Sequence, residues 1–163
     1  RPDSHIDGVS VYASRIKAGR FLAMDSPVDA DLVVGVPESG NAAALGYSLQ
    51  SGIPYGTAFV KNGYVGRTFI KPKQSSRESS VRVKLNVLWP CYFGTDIPER
   101  EQLIAYNRSI EDIRKIIGAD SLGYLGIERL EEMVGGLNIC KGCFTGTYPM
   151  EPPKEDIRGD FER

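Results

Sequence analysis

Apolar residues near the start of the chain fall at two spacings in succession. In VSVYASRIKAGRFLA, Val9, Tyr12, Ile16 and Leu22 or Ala23 recur at nearly helical intervals, which predicts a helix ending around Gly19. DLVVGV (31–36) is a short run of β-branched residues, the pattern of a strand buried on both faces. PESG breaks that run. NAAALGYSLQ then predicts a helix stopped by Ser51-Gly52, and after Pro54 YGTAFV (55–60) predicts a second strand. Strand, tight loop, helix, strand is the unit of a parallel sheet with helical crossovers, so the expected fold class is α/β.

Residues 61–80, KNGYVGRTFIKPKQSSRESS, change character. They are polar, rich in Gly, Ser, Lys and Arg, and long for a connection inside a compact domain; such a loop is usually functional or disordered. RESSVRVKLNVL after it fits a helix. From 96 onward the pattern is mostly helical. Pro98 suits the first turn of PEREQLIAY, where its missing N–H is not needed. Ser109-Ile-Glu-Asp112 is a capping signature that opens IEDIRKII, and Gly118 closes it. GIERLEEMV is a further amphipathic segment before Gly135-Gly136, and MEPPKEDIRGDFER is charged and broken by prolines, as a frayed extension would be. No internal repeat is visible.

Composition narrows the function classes. The 163 residues are enough for one domain with a core that needs no disulfides, and the 41% hydrophobic and 25% charged shares are ordinary for a soluble globular protein. A net charge of −1 with no basic block argues against a nucleic-acid surface. No apolar run reaches membrane-spanning length, and Arg1-Pro2-Asp3 does not open a signal peptide. Three cysteines, odd and sparse, point to a reducing compartment, so a cytoplasmic protein is expected.

Three places carry candidate chemistry. Glu38, Ser39, Gly40 and Asn41 lie between a strand end and a helix start, where unsatisfied backbone N–H groups attract phosphate. The plainer alternative is that Ser39 or Asn41 only caps the helix. The loop from Lys61 to Arg82 offers Lys61, Arg67, Lys71, Lys73, Arg77 and Arg82, with Tyr64 and Phe69 among them. It suits either a lid over an anionic ligand or a solvated surface loop. The third place is NICKGCFTGTYP, whose C-x-x-C joins one other cysteine, Cys91 in WPCYFGTD. The spacing alone allows a redox pair or half of a zinc site, with His5, the single histidine, as a formal fourth ligand; beside Asp3 and Asp7, His5 reads more simply as a surface residue.

RPDSHIDGVSVYASR, VVGVPESGNAAALGYSLQSGIPY, KNGYVGRTFIKPKQSSR, VKLNVL, PCYFGTD, IGADSLGYL and CKGCFTGTYP occur in this order. Together they closely resemble the amidophosphoribosyltransferases, also called glutamine phosphoribosylpyrophosphate amidotransferases, over nearly all of residues 1–150. The resemblance is to the phosphoribosyltransferase half, in the branch that carries an iron–sulfur cluster. It implies a type I phosphoribosyltransferase-like parallel sheet with flanking helices, incomplete here, plus a mostly helical C-terminal part. It also implies the first committed step of purine synthesis: ammonia released from glutamine by a glutaminase domain, absent from this chain, displaces pyrophosphate from phosphoribosyl pyrophosphate. Implied partners are that substrate, the ammonia, and purine nucleotides as feedback inhibitors, in a homo-oligomer, a tetramer; no nucleic acid or membrane is implied.

Carried over residue by residue, Ser39 and Gly40 fall in the loop at the magnesium–phosphoribosyl pyrophosphate site, with Ser39 beside Mg2+; Glu38 departs from the family's usual aspartate. Lys61, Tyr64, Gly66 and Arg67 fall in its flexible, substrate-binding loop. Cys91, Cys140 and Cys143 match three of the four thiolates of a 4Fe-4S cluster, the fourth lying upstream of Arg1. No catalytic residue is assignable. The family's adjacent-aspartate loop for the phosphoribosyl group is missing: the chain has no Asp-Asp pair, and VKLNVL runs directly into WPCYFG, where a βαβ unit would take roughly 30 or more residues. Residues 1–88 and 89–150 are therefore expected as N- and C-terminal parts of one domain, with 151–163 a tail and a segment lost between Leu88 and Trp89. The alternative is an inactive fragment that serves only as a ligand-binding or structural module.

Overall fold

The computed structural model describes residues 1–60, 87–93 and 103–151. Two compact units are present. One comprises Arg1–Val83 and Gly123–Asn138, the other Lys84–Leu122 and Ile139–Arg163.

The first unit opens with a hairpin, β1 (His5–Ile6) and β2 (Val9–Ser10), antiparallel with Ile6 opposite Val9. Asp7 and Gly8 both take positive φ, 50° and 78°, the pairing that an Asp-Gly turn supplies most easily. Ser10 ends β2 and also caps α1 (Val11–Asp25), its hydroxyl accepting from the Ala13 N–H at 3.3 Å. The helix does not stop at Gly19, as its sequence predicts. Gly19 is buried mid-helix because α2 (Ser39–Ser51) crosses there: a Cβ at Gly19 would overlap the Ala43 carbonyl oxygen. The contact is reciprocal, since a Cβ at Gly46 of α2 would overlap the carbonyl oxygen of Ile16. Two backbones therefore touch without intervening side chains. Helix propensity, which makes glycine about 1 kcal/mol worse than alanine, is outweighed by the approach it permits.

β3 (Val33–Val34) pairs in parallel with β4 (Tyr55–Gly56), Val33 beside Tyr55 and Val34 beside Gly56, with α2 as the crossover. The predicted βαβ order thus holds, and Gly52 at φ 77° ends α2 where Ser51-Gly52 was expected. The strands are shorter than DLVVGV and YGTAFV imply. Val33 and Val34 are half-buried, and Leu32 (50% exposed) and Val36 (48%) stand open. A parallel strand is buried on both faces only when both faces are covered, and among the described residues α2 covers one. Across the unit, Arg129 of α4 (Arg129–Met133) pairs with Asp25 at 2.9 Å and lies 5.0 Å from the ring centre of buried Phe21. Lys17 donates to the Glu132 carbonyl at 2.5 Å.

In the second unit, α3 (Ile110–Ile117) starts and ends as its sequence dictates. Ser109 and Asp112 form a reciprocal capping box, with Gly118 in the left-handed conformation at the far end. The predicted helix PEREQLIAY is not seen where it can be followed: Leu103–Asn107 forms turns, with Tyr106 N–H bonded to the Leu103 carbonyl and Asn107 at φ 50°. Its first residues and most of RESSVRVKLNVL lie outside the described residues. α5 (Gly142–Thr145) is a single turn inside the cysteine segment. Among the described residues, no helix is long and apolar enough to cross a membrane.

Gly46→Ala separates propensity from packing. Propensity alone would stabilise the protein by roughly 1 kcal/mol, whereas overpacking against a backbone carbonyl costs about 1–3 kcal/mol. Chemical denaturation is expected to show net destabilisation, and a gain in stability would refute the close helix crossing.

Candidate functional sites

In the first unit, the turn after β3 carries Pro37, Glu38 and Ser39, with a cis Pro37–Glu38 peptide, and leads straight into α2. The N-cap position belongs to Glu38, and no side chain caps the helix. Neither Ser39 nor Asn41 therefore does the job that the plainer sequence reading gave it. Ser39 is exposed in the first turn, Gly40 donates to the Val36 carbonyl at 3.1 Å, and Asn41 donates to that of Glu38 at 3.4 Å. Gly35 is buried against Asn41: a Cβ there would lie 2.6 Å from Asn41 Oδ1, so the strand end and the helix start are in direct contact. The result is an uncapped helix start, positive in potential, at the carboxyl end of a parallel strand, where ligands of open α/β sheets bind. Beside it a cavity of about 330 Å³ runs along α2, with Tyr12 and Arg15 of α1, Glu38, Leu45 and Tyr55 in its walls. Lys61, Tyr64, Gly66 and Arg67 lie outside the described residues.

The second unit holds all three cysteines as free thiols, Cys140 exposed, Cys91 and Cys143 half-buried. They lie near one another. The Cys143 thiol is pushed above the usual cysteine range, first by burial and then by the negative charge Cys91 and Cys140 would carry. Burial also raises the Tyr148 hydroxyl, with Tyr92 and the same three cysteines adding to the effect. The segment 88–91 is tied to this turn by backbone. The Cys143 carbonyl accepts from both Leu88 N–H (3.1 Å) and Trp89 N–H (3.0 Å), and Tyr148 O–H donates to the Pro90 carbonyl at 2.6 Å. The Tyr148 ring meets Tyr92 edge-on at 5.0 Å.

Among the described residues, no three His, Cys, Asp or Glu side chains are gathered tightly enough to hold a single metal ion. His5 is in the first unit, on exposed β1. Gly142 and Tyr148 were not singled out by sequence reasoning; the glycine inside C-x-x-C was the available mark.

The α/β unit, with its parallel strand pair and uncapped helix start, fits the type I phosphoribosyltransferase-like fold expected from the sequence. No family model matches the chain. An amidophosphoribosyltransferase of Archaeoglobus fulgidus is 41% identical over 207 residues, covering 96% of this chain and 45% of that protein. One of Methanocaldococcus jannaschii is 39% identical over 206 residues, covering 98% and 44%. Among solved structures, the allosteric regulatory enzyme of purine biosynthesis matches with a TM-score of 0.79 and 34% identity over 99% of this chain and 46% of that one. The glutamine phosphoribosylpyrophosphate amidotransferase from B. subtilis, complexed with ADP and GMP, matches at 0.75 and 36%, over 93% and 45%. The chain belongs to the amidophosphoribosyltransferase family and spans about half the length of the curated relatives it matches.

Alkylation tests the thiol ordering. Exposed Cys140 should react first. Cys143 should react last, and because its thiol is raised its rate should keep climbing at a pH where an ordinary thiol has levelled off. Mass spectrometry that finds Cys143 labelled as fast as Cys140 across that range would contradict the placement.

Proposed function

We propose that this chain is the phosphoribosyltransferase part of a glutamine-dependent amidophosphoribosyltransferase, and that the whole protein converts phosphoribosyl pyrophosphate to phosphoribosylamine. The observation that carries the reading is the uncapped start of α2 after β3, in a chain 41% identical to an amidophosphoribosyltransferase. In the reaction, the nitrogen of ammonia forms a bond to C1 of the ribose as the bond from C1 to the pyrophosphate oxygen breaks. The leaving group is strongly anionic, so the need at that end is for donors and positive charge already in place. The positive start of α2 at Ser39 and Gly40 meets that need through its potential, the Gly40 N–H itself being bonded to the Val36 carbonyl, with Lys61, Tyr64, Gly66 and Arg67 as the loop that covers the substrate and excludes water.

Magnesium fits this turn through the exposed Ser39 hydroxyl. The ion takes few protein ligands and fills its shell with substrate phosphate and water, so the lack of a carboxylate cage is no obstacle; when bound it neutralises charge on pyrophosphate. Cys91, Cys140 and Cys143 are assigned to a 4Fe-4S cluster with a fourth cysteine elsewhere in the protein. Thiols close enough to influence one another, yet not gathered around one point, suit ligands to separate irons of a cluster better than a zinc cage. The cluster's part is structural, since the transfer moves no electrons.

A segment between Leu88 and Trp89, including the aspartate-pair loop, completes the domain in the whole protein. Supporting this, the Archaeoglobus relative aligns over 207 positions to a chain of 163 residues. The open face bearing Leu32 and Val36 is also where a covering element is wanted. The whole protein is assigned to the cytoplasm as a homo-oligomer that takes purine nucleotides as inhibitors.

Calorimetry with magnesium and phosphoribosyl pyrophosphate on the full-length protein tests the substrate. Saturable heat is expected, and its absence would sink the assignment. Anaerobic preparation should yield iron and sulfide in equal amounts, with Cys140→Ser lowering folded yield more than turnover per folded molecule. Zinc in place of iron would refute the cluster.

A further inference from the structure

We infer that Tyr148, accommodated by Gly142, is the positioning residue that brings Cys91 against the C-x-x-C turn. The inference rests on reading the three cysteines as ligands of one cluster. Cys140 and Cys143 sit in one short turn and need no help to stay together. Cys91 is about fifty residues away in the chain, so its place must be fixed by contacts around it.

The contacts converge on one side chain. Tyr148 O–H donates to the carbonyl of Pro90, the buried residue next to Cys91, at 2.6 Å. Its ring packs edge-on against Tyr92, the residue on the other side of Cys91, with centres 5.0 Å apart, and tilted against Phe93 at 6.1 Å. Both neighbours of Cys91 are therefore held by the same tyrosine. One edge of that ring, Cδ1 and Cε1, occupies the space above Gly142, and a Cβ there would overlap it. Gly142 is buried and its φ is not in the left-handed range, so the close approach of the ring, and not backbone freedom, is what calls for glycine between the two cysteines. A second brace lies beside it on the Cys91 side of the chain, where the Cys143 carbonyl accepts from Trp89 N–H at 3.0 Å and a Cβ at Gly146 would stand 2.8 Å from the Trp89 indole.

The tyrosine hydroxyl acts through the Pro90 carbonyl. Tyr148→Phe removes that bond and keeps the ring. Gly142→Ala keeps the hydroxyl and pushes the ring away from the turn. Both should loosen Cys91 while leaving the Cys140–Cys143 pair intact.

The test uses the full-length protein with two readouts. In the metal-free form, a short bifunctional thiol reagent should bridge Cys91 and Cys143 roughly two- to tenfold more slowly in Tyr148→Phe, the ratio expected for losing one hydrogen bond. The Cys140–Cys143 bridge should form at the wild-type rate. In the iron-loaded form, cluster loss to a chelator should accelerate by a similar factor. Tyr124→Phe, a half-buried tyrosine of the other unit, is the control and should change neither. Wild-type rates in Tyr148→Phe for both readouts would overturn the proposal, whether or not Gly142→Ala folds. Slowing of both bridges alike would also overturn it, since that marks a general loss of structure. If the wild type binds no iron, the cluster reading fails, and the bridging rates still decide the role of Tyr148.

Discussion

The first unit depends on two glycines meeting two carbonyls. α1 and α2 can lie backbone to backbone because Gly19 faces Ala43 and Gly46 faces Ile16. Any Cβ at either position would push the helices apart, and protein interiors do not absorb such shifts cheaply. The consequence reaches the turn that opens α2. α2 carries Ser39 and Gly40 at its start, and its tilt relative to β3 is set by how closely it seats on α1. Gly35 repeats the device at the strand end, where only a hydrogen in place of a side chain lets Asn41 close in. The anion site proposed at this turn needs its groups fixed before a ligand arrives, and glycine-mediated contact is a stiff way to fix them.

The second unit solves a different problem with the same residue type. Its cysteines come from two separated stretches, and the aromatic side chains of Trp89, Tyr92 and Tyr148 fill the space between them. Gly142 and Gly146 yield room to two of those rings. Here the glycine admits a side chain, whereas in the helix crossing it admits a backbone. The distinction matters for substitution: a ring can swing away at some cost in order, but a helical carbonyl cannot.

How much of this was legible depended on the range of the interaction responsible. The Ser109 capping box, the Gly118 stop and the Gly52 stop are local, and the sequence predicts each of them to the residue. So is the Asp7-Gly8 turn, whose Asp-Gly signature stands in HIDGVS. Gly19 was misread because a mid-helix glycine looks like a terminus until its packing partner, more than twenty residues away, is known. Leu103–Asn107 likewise follows a helical pattern and forms turns instead. The cysteines were found by motif, but Tyr148 and Gly142 matter through a contact that no spacing rule contains.

At the uncapped start of α2 a local rule fails, and the proposed anion site supplies a functional reason. Ser39 and Asn41 are among the best capping residues, and both sit within the first turn, yet the cap position goes to Glu38 with no side-chain bond to the helix. A side-chain cap would make the helix more stable by itself, but it would also cover the positive end of the helix. Here the Gly40 and Asn41 N–H groups bond the Val36 and Glu38 carbonyls, so the first turn is held by backbone and no side chain stands over it, which leaves its positive end open to an anion in the proposed reading. The departure from capping chemistry is thus itself a pointer to the site, and it emerges only when the expected cap is compared with the observed one.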